Sequence, residues 1–234
     1  MKWALVLLLI AGPAQADTFS FTDRSCTADA SITPLGANDN TGDMHATTSS
    51  VADNVARGIL KFDLSDIPIA ATVTSATLKA VYNSENILNT REFTFVPISA
   101  AAIAAKERWV ETQVTWINRI TATAWTTPGV PFGTEVNSFT VGSVTVDGST
   151  YNSHTITEEI QALVSAGAGS SGTLVFKFIA AHEDLGSGLG IVMATIQGAG
   201  STEALLSVTW EYGTPVVGFA RDFDPVPWGV DQDQ

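Results

Sequence analysis

Apolar residues recur along this chain in short alternating runs, separated by turn residues. Leu60, Phe62 and Leu64 share one face of segment 58–64. From Val73 to Tyr82 the alternation is regular. Val73, Ser75, Thr77, Lys79 and Val81 fall on one side, and Thr74, Ala76, Leu78, Ala80 and Tyr82 on the other. Phe93 and Phe95 pair within 93–98. Segments 139–141 and 144–146 read as a hairpin or a bulged strand through Gly142-Ser143. Apolar runs at 173–179 and 191–196 read as buried strands, and 205–210 is the last clear one. A period of two is the signature of a strand. Strands this short, with Gly, Asn, Pro and Asp between them, predict an all-β, jelly-roll-like antiparallel β-sandwich.

Two segments break that period. Thr155 and Glu158 have capping-box spacing, in which hydroxyl and carboxylate satisfy two free amides at a helix start. Ile156, Ile160 and Leu163 or Val164 then share one helical face, and Gly167 marks the stop. Ala100 to Arg108 is Ala-rich and reads as a second, shorter helix. One or two short helices therefore interrupt the strands.

The ends differ from the middle. Lys2, the apolar run Ala4–Gly12 and the Ala-x-Ala pattern ending at Ala16 read as a secretory signal peptide, too short to span a bilayer. Segment 213–234 carries Pro215, Pro225 and Pro227 together with Phe219, Phe223, Trp228 and four aspartates. Proline lacks the ladder donor, so this reads as an acidic Pro/aromatic tail, either lying on the domain or docking on a neighbouring copy. The expected organisation is a signal peptide over 1–16, a β-sandwich over 17–212 and the tail over 213–234. The expected location is secreted, extracellular or at the cell surface.

Composition narrows the partners. Of 234 residues, 15% are charged and 29 are Thr. There are 24 acidic and 11 basic residues, and the formal net charge is −13. No Lys/Arg cluster exists to neutralise a phosphate backbone, so nucleic acid is excluded as a partner. Nor does a second long apolar stretch exist, so no membrane insertion is expected. The single Cys26 has no intramolecular partner, so the fold must rest on its core.

Catalytic patterns are not legible. Gly169-Ser170-Ser171-Gly172 lacks nucleophile-elbow spacing, and His45, His154 and His182 lack metalloprotease spacing. The chain reads as a non-enzyme. Segment 38–43 concentrates hard oxygen ligands. Asn38, Asp39 and Asp43, completed by Asp29 and Glu203 if the first and last strands are neighbours, are candidate ligands for a structural Ca²⁺ ion. The same residues are also ordinary turn formers. Trp109, Trp116 and Trp210 are expected in the core. Trp125, Tyr151 and Trp228 are the candidate aromatic platforms for sugar rings.

Three stretches carry a family resemblance. The first is Arg57-Gly58-Ile59-Leu60-Lys61-Phe62-Asp63-Leu64-Ser65-Asp66-Ile67-Pro68, continuing to Leu78. The second is Trp109-Val110-Glu111-Thr112-Gln113-Val114-Thr115-Trp116, followed by Trp125-Thr126-Thr127-Pro128-Gly129. The third is Ile156–Gln161 with the later Gly172-Thr173-Leu174. Together they resemble the DNRLRE domain, also described as carbohydrate-binding module family 96, over residues 28–212. The chain departs from that pattern where Ala162-Leu163 replaces an aromatic and Val130-Pro131 follows the TPG. The resemblance implies a jelly-roll-like sandwich of secreted and surface proteins, with glycan binding in some members. The resulting expectation is a secreted, non-catalytic sandwich that binds extracellular polysaccharide. The alternative is a structural subunit of a filament, surface layer or virion that self-assembles through the sandwich and the tail.

Overall fold

In this computed structural model the described residues are 16–34, 38–39, 43–48, 55–86, 90–183, 189–194 and 202–213. The residues before Ala16, expected to be a signal peptide, and those after Gly213, expected to be a tail and including Trp228, lie outside them. In chain order the elements are β1 (Ala16–Ser25), β2 (Ala28–Ile32), β3 (Asn38–Asp39), β4 (Met44–Thr48), β5 (Arg57–Phe62), β6 (Thr72–Asn86) and β7 (Glu92–Pro97). Then come α1 (Ala100–Ala104), β8 (Asn118–Ile120), β9 (Thr123–Ala124), β10 (Phe139–Thr140), β11 (Tyr151–Thr155) and α2 (Thr157–Ser165). The chain closes through β12 (Gly172–Phe178), α3 (Ala180–Glu183), β13 (Leu189–Met193) and β14 (Leu205–Gly213).

Two antiparallel sheets face each other, as the alternation predicts. One runs β1-β14-β6-β13-β4 with β11 added on β6; the other runs β10-β7-β12-β5-β2-β3. Between them lie Leu60, Phe62, Tyr82, Phe93, Phe95, Phe176 and Phe178, all buried. Each such side chain contributes about 1.5–3 kcal/mol by leaving water. β6 is fifteen residues long and pairs with β14, β11 and β13. Its alternation holds for Ala76, Leu78, Ala80 and Tyr82, then breaks. Opposite Thr209 and Trp210 the register slips, Thr74 becomes the unpaired residue, and Val73 turns inward beside Trp210. A one-residue bulge exchanges the faces of the strand beyond it.

The helical expectations hold in part. Ile156, Ile160, Leu163 and Val164 are buried, as the 3.6 period requires. The capping box does not form. Thr155 is held in strand register opposite Thr77, so α2 starts two residues later with no side-chain cap. The Thr157 hydroxyl instead accepts the Ala76 amide at 3.0 Å. At the other end, the Gly167 amide reaches the Val164 carbonyl and the Ala168 amide reaches that of Leu163. This left-handed closure needs φ near +75° at Gly167, where glycine is free of Cβ strain. α1 is shorter than its Ala-rich run suggests and stops at Ala104. Where a hairpin or bulged strand is expected over 139–141 and 144–146, the structure has the two-residue β10, a 3-10 turn over Val141–Ser143 and one bridge from Val146 to Tyr82.

The excursion from Ser99 to Ser138 lies over the outer face of the second sheet and covers several of its polar side chains. Lys61 Nζ donates to the Trp109 carbonyl at 2.9 Å, and Trp109 Nε1 donates to Thr173 Oγ1 at 3.0 Å. Lys177, 0% exposed, donates to Glu135 at 2.6 Å and to the Phe178 carbonyl at 2.6 Å. Arg57 binds both oxygens of Glu183, at 2.7 and 3.0 Å, and the Gly129 carbonyl at 2.8 Å. Its guanidinium lies 4.7 Å from the Trp116 ring centre and 4.9 Å from that of Phe132. Buried charges persist when paired and hydrogen-bonded, as Lys177 and Arg57 are, while half-buried Lys61 is met by the carbonyl and the ring of Trp109.

Candidate functional site

α1 positions the site. Ser99 caps its start, accepting the Ala102 amide at 3.2 Å. Its end closes through the Lys106 amide on the Ile103 carbonyl and the Glu107 amide on the Ala102 carbonyl, both at 2.9 Å. That closure is the one glycine makes at the end of α2, but here Lys106 occupies the left-handed position, at φ near +54°. A side chain in that conformation costs about 1–2 kcal/mol. Strain kept at such a position points to a functional constraint.

The two helix ends meet at one depression. A cavity of about 270 Å³ is lined by Ile98, Ile103, Ala104, Lys106, Glu107, Arg108, Gly167, Ala168 and Ser171. Glu107 is only 7% exposed. Its Oε1 accepts the Thr126 amide at 3.2 Å, while its Oε2 is buried with no hydrogen-bond partner among the described residues. A buried carboxylate oxygen without a donor is costly, and it fits a site that receives one from a ligand. Lys106 and Arg108, both exposed, flank it. A second, more open depression of about 400 Å³ has on its walls Arg57, Ser99 and the turn Thr126-Thr127-Pro128. The Glu107–Thr126 hydrogen bond joins the walls of the two.

Trp125 is corrected by this geometry. It is 4% exposed and its Nε1 donates to the Thr115 carbonyl at 3.0 Å, so no ring face is open for a sugar to stack on. The residues after it, Thr126 to Pro128, are the exposed ones. Tyr151 is 38% exposed on β11, where its hydroxyl donates to the Glu203 carbonyl at 3.2 Å; it lines neither depression. Trp109 and Trp210 are buried as expected, and Trp116 is half-buried under Arg57.

The calcium candidates separate into groups. Asp29 is buried on β2 and accepts from the Cys26 thiol at 3.8 Å. Glu203 accepts from the Ser25 hydroxyl at 2.7 Å. These two carboxylates thus bracket Cys26, whose thiol burial and the Asp29 charge push far up its pKa. Asp43 instead accepts from the Asn83 side chain on β6. Asn38 and Asp39 form β3 against β2, and their side chains lie outside the described residues. Among the described residues no three His, Cys, Asp or Glu side chains are grouped to hold a metal ion.

Glu107 was not singled out in the sequence. The one signal was the Lys-Glu-Arg triplet closing an Ala-rich helix where a glycine would be expected. Substituting Lys106→Gly is expected to raise stability by up to about 1 kcal/mol, because the left-handed strain is relieved. A urea midpoint unchanged or lowered would show that Lys106 is held there by contacts outweighing the strain. No family model matches the chain, and no curated protein matches it.

Proposed function

We propose that this chain is a secreted, non-catalytic β-sandwich that binds extracellular polysaccharide at the depressions on either side of α1. The carboxylate of Glu107, a residue lining the cavity whose buried Oε2 has no hydrogen-bond partner among the described residues, carries the reading. A carboxylate oxygen in a small, half-apolar cavity suits a hydroxyl donor, and sugar hydroxyls are such donors. Ile98, Ile103 and Ala104 offer apolar surface to the C–H face of a ring, and Ser171 adds a hydroxyl. At about 270 Å³ the cavity sits just below the usual ligand-site range of ~300–1,000 Å³, a size for one sugar unit. The neighbouring Thr126–Pro128 depression gives a chain room to continue. The resemblance of Trp109–Trp116 and Trp125–Gly129 to the DNRLRE domain supports the same reading.

The test is affinity electrophoresis across neutral and acidic polysaccharides, repeated with Glu107→Gln. This change keeps the side chain's volume and removes its charge. A hydrogen bond to a charged group contributes about 1.5–3 kcal/mol, so retention is expected to weaken by about tenfold or more. Retention of the variant equal to wild type, or no retention of wild type on any glycan, sinks the proposal.

A further inference from the structure

β1 differs from every other long strand in what it touches. It is ten residues long, forms the edge of its sheet, and pairs with β14 alone. Residues 16–20 are exposed, and Phe19 keeps 47% of its surface open. Its inward side chains meet one ring. Phe19 stacks on Trp210 at 6.0 Å between centres, and Phe21 meets it at 5.9 Å. Among the described residues, no side chain from 16 to 22 makes a hydrogen bond or ion pair. Six consecutive backbone pairs, Ala16↔Gly213 through Phe21↔Val208, hold the segment.

The attachment changes abruptly at Asp23. The register slips between Phe21 and Arg24, and Asp23 takes φ near +50°. Its carboxylate accepts from Lys79 at 2.7 Å and from Ser207 at 3.2 Å, while its amide reaches Ser207 Oγ at 3.0 Å. Arg24 follows with an ion pair to Asp66 at 2.6 Å and a hydrogen bond to the Asp63 carbonyl at 2.7 Å. The chain is thus pinned from Asp23 onward and held before it by a ladder, the Trp210 seat and the Arg24 guanidinium 3.9 Å from the centre of the Phe21 ring.

We propose that segment 16–21 is exchanged between copies of this chain, each copy's β14 receiving the strand of another. The occupant is fixed by the seat itself. A backbone ladder reads no sequence beyond its register, and an identical strand restores the identical Trp210 contacts. Exchange therefore changes no contact of the seat; it alters the connection at the Thr22-Asp23 bulge and costs the entropy of association. Before Asp23 the edge strand holds Ala, Asp, Thr, Phe and Ser, with no Lys or Pro and with Asp17 as its one charge, so it is lightly protected against pairing. The inference stands independently of glycan binding.

Cross-linking between differently tagged full-length chains tests it. Ser20 and Thr209 are directly opposed in the ladder. One copy carries Ser20→Cys and the other Thr209→Cys, and the mixture is concentrated, then oxidised. A disulfide-linked heterodimer is expected, its yield rising roughly in proportion to concentration. A single chain with both substitutions closes internally when dilute, which shows that the ladder forms. The proposal is overturned if the mixture gives no heterodimer at any concentration. It is equally overturned if Thr112→Cys, exposed in the covering excursion, cross-links to Ser20→Cys with the same yield.

Discussion

Arg57→Ala is expected to destabilise the fold by about 3–5 kcal/mol, the usual cost of removing one partner from a buried ion pair. The variant leaves Glu183, which is nearly buried, with only Lys177 at 3.6 Å among the described residues to balance it. It also strips a donor from the Gly129 carbonyl and a planar cation from between Trp116 and Phe132. Arg57→Lys should recover little of the loss, since an ammonium cannot hold both Glu183 oxygens, reach Gly129 and lie flat on two rings together. Gly129 itself sits at φ near +82°, with Arg57 Nη1 and the Trp116 ring each 2.6 Å from where a Cβ would be. The urea midpoint measures all of this. Adding Glu183→Gln to Arg57→Ala should return part of the stability, because the uncompensated charge is then gone. A double variant no better than the single would assign the loss to the aromatic stacking instead.

Acid is the second large effect. His154 is buried among the rings of Phe93, Phe95 and Phe139, with Tyr82 Oη 2.9 Å from its Nε2. Burial lowers its pKa to about 4. The unfolded chain accepts a proton near the ordinary imidazole value of about 6.5, while the folded chain refuses it until about pH 4. Between those values the unfolded state binds more protons, so each fall in pH favours unfolding. The contribution is complete above about pH 6.5 and lost as pH drops towards 4, with a span of about 3 kcal/mol. Glu159 acts in the opposite sense. Burial raises its carboxyl, so it adds stability as pH falls through the carboxylate range. The slope between pH 6.5 and 5 therefore belongs mainly to His154. His154→Gln, which can still bond Tyr82, should flatten that slope in a pH series of thermal midpoints. An unchanged slope would place the titrating group elsewhere.

Two kinds of segment are legible in the sequence: those with one wet and one dry face, as in β6, β14 and the buried stripe of α2, and the unbroken apolar runs of strands buried on both faces, as in β12. β1 is neither, because both of its faces are largely exposed and Ser-Phe-Thr-Asp has no dry side to mark. β11 is hidden for a similar reason: of Tyr-Asn-Ser-His-Thr, only His154 is buried. In β12 the apolar run identified a buried strand, yet Lys177 is as buried as its Phe neighbours. What covers it, Glu135 and Phe132, lies some forty residues away, beyond the reach of a periodic pattern. Trp125 failed as a platform because a Thr-Thr-Pro-Gly turn signals exposure for itself, not for the ring before it. The Glu107 cavity is formed where two helix ends converge, and their meeting is a property of packing alone.

The antiparallel pairing of β1 with β14 sets how the molecule bears load. Ala16 lies opposite Gly213, so the first and last described residues sit at the same end of the same ladder. Tension applied through both ends would act across the hydrogen bonds rather than along them. It would open the rungs one after another from Ala16 toward the Asp23 anchor, a zipper that parts at low force. Tension entering through Ala16 alone loads the same rungs, whereas tension entering through Gly213 alone meets β14, a strand paired on both sides, with β1 and with β6. The sandwich resists a load at its β14 end better than one at its β1 end, and is poorly suited to being a link stretched in series.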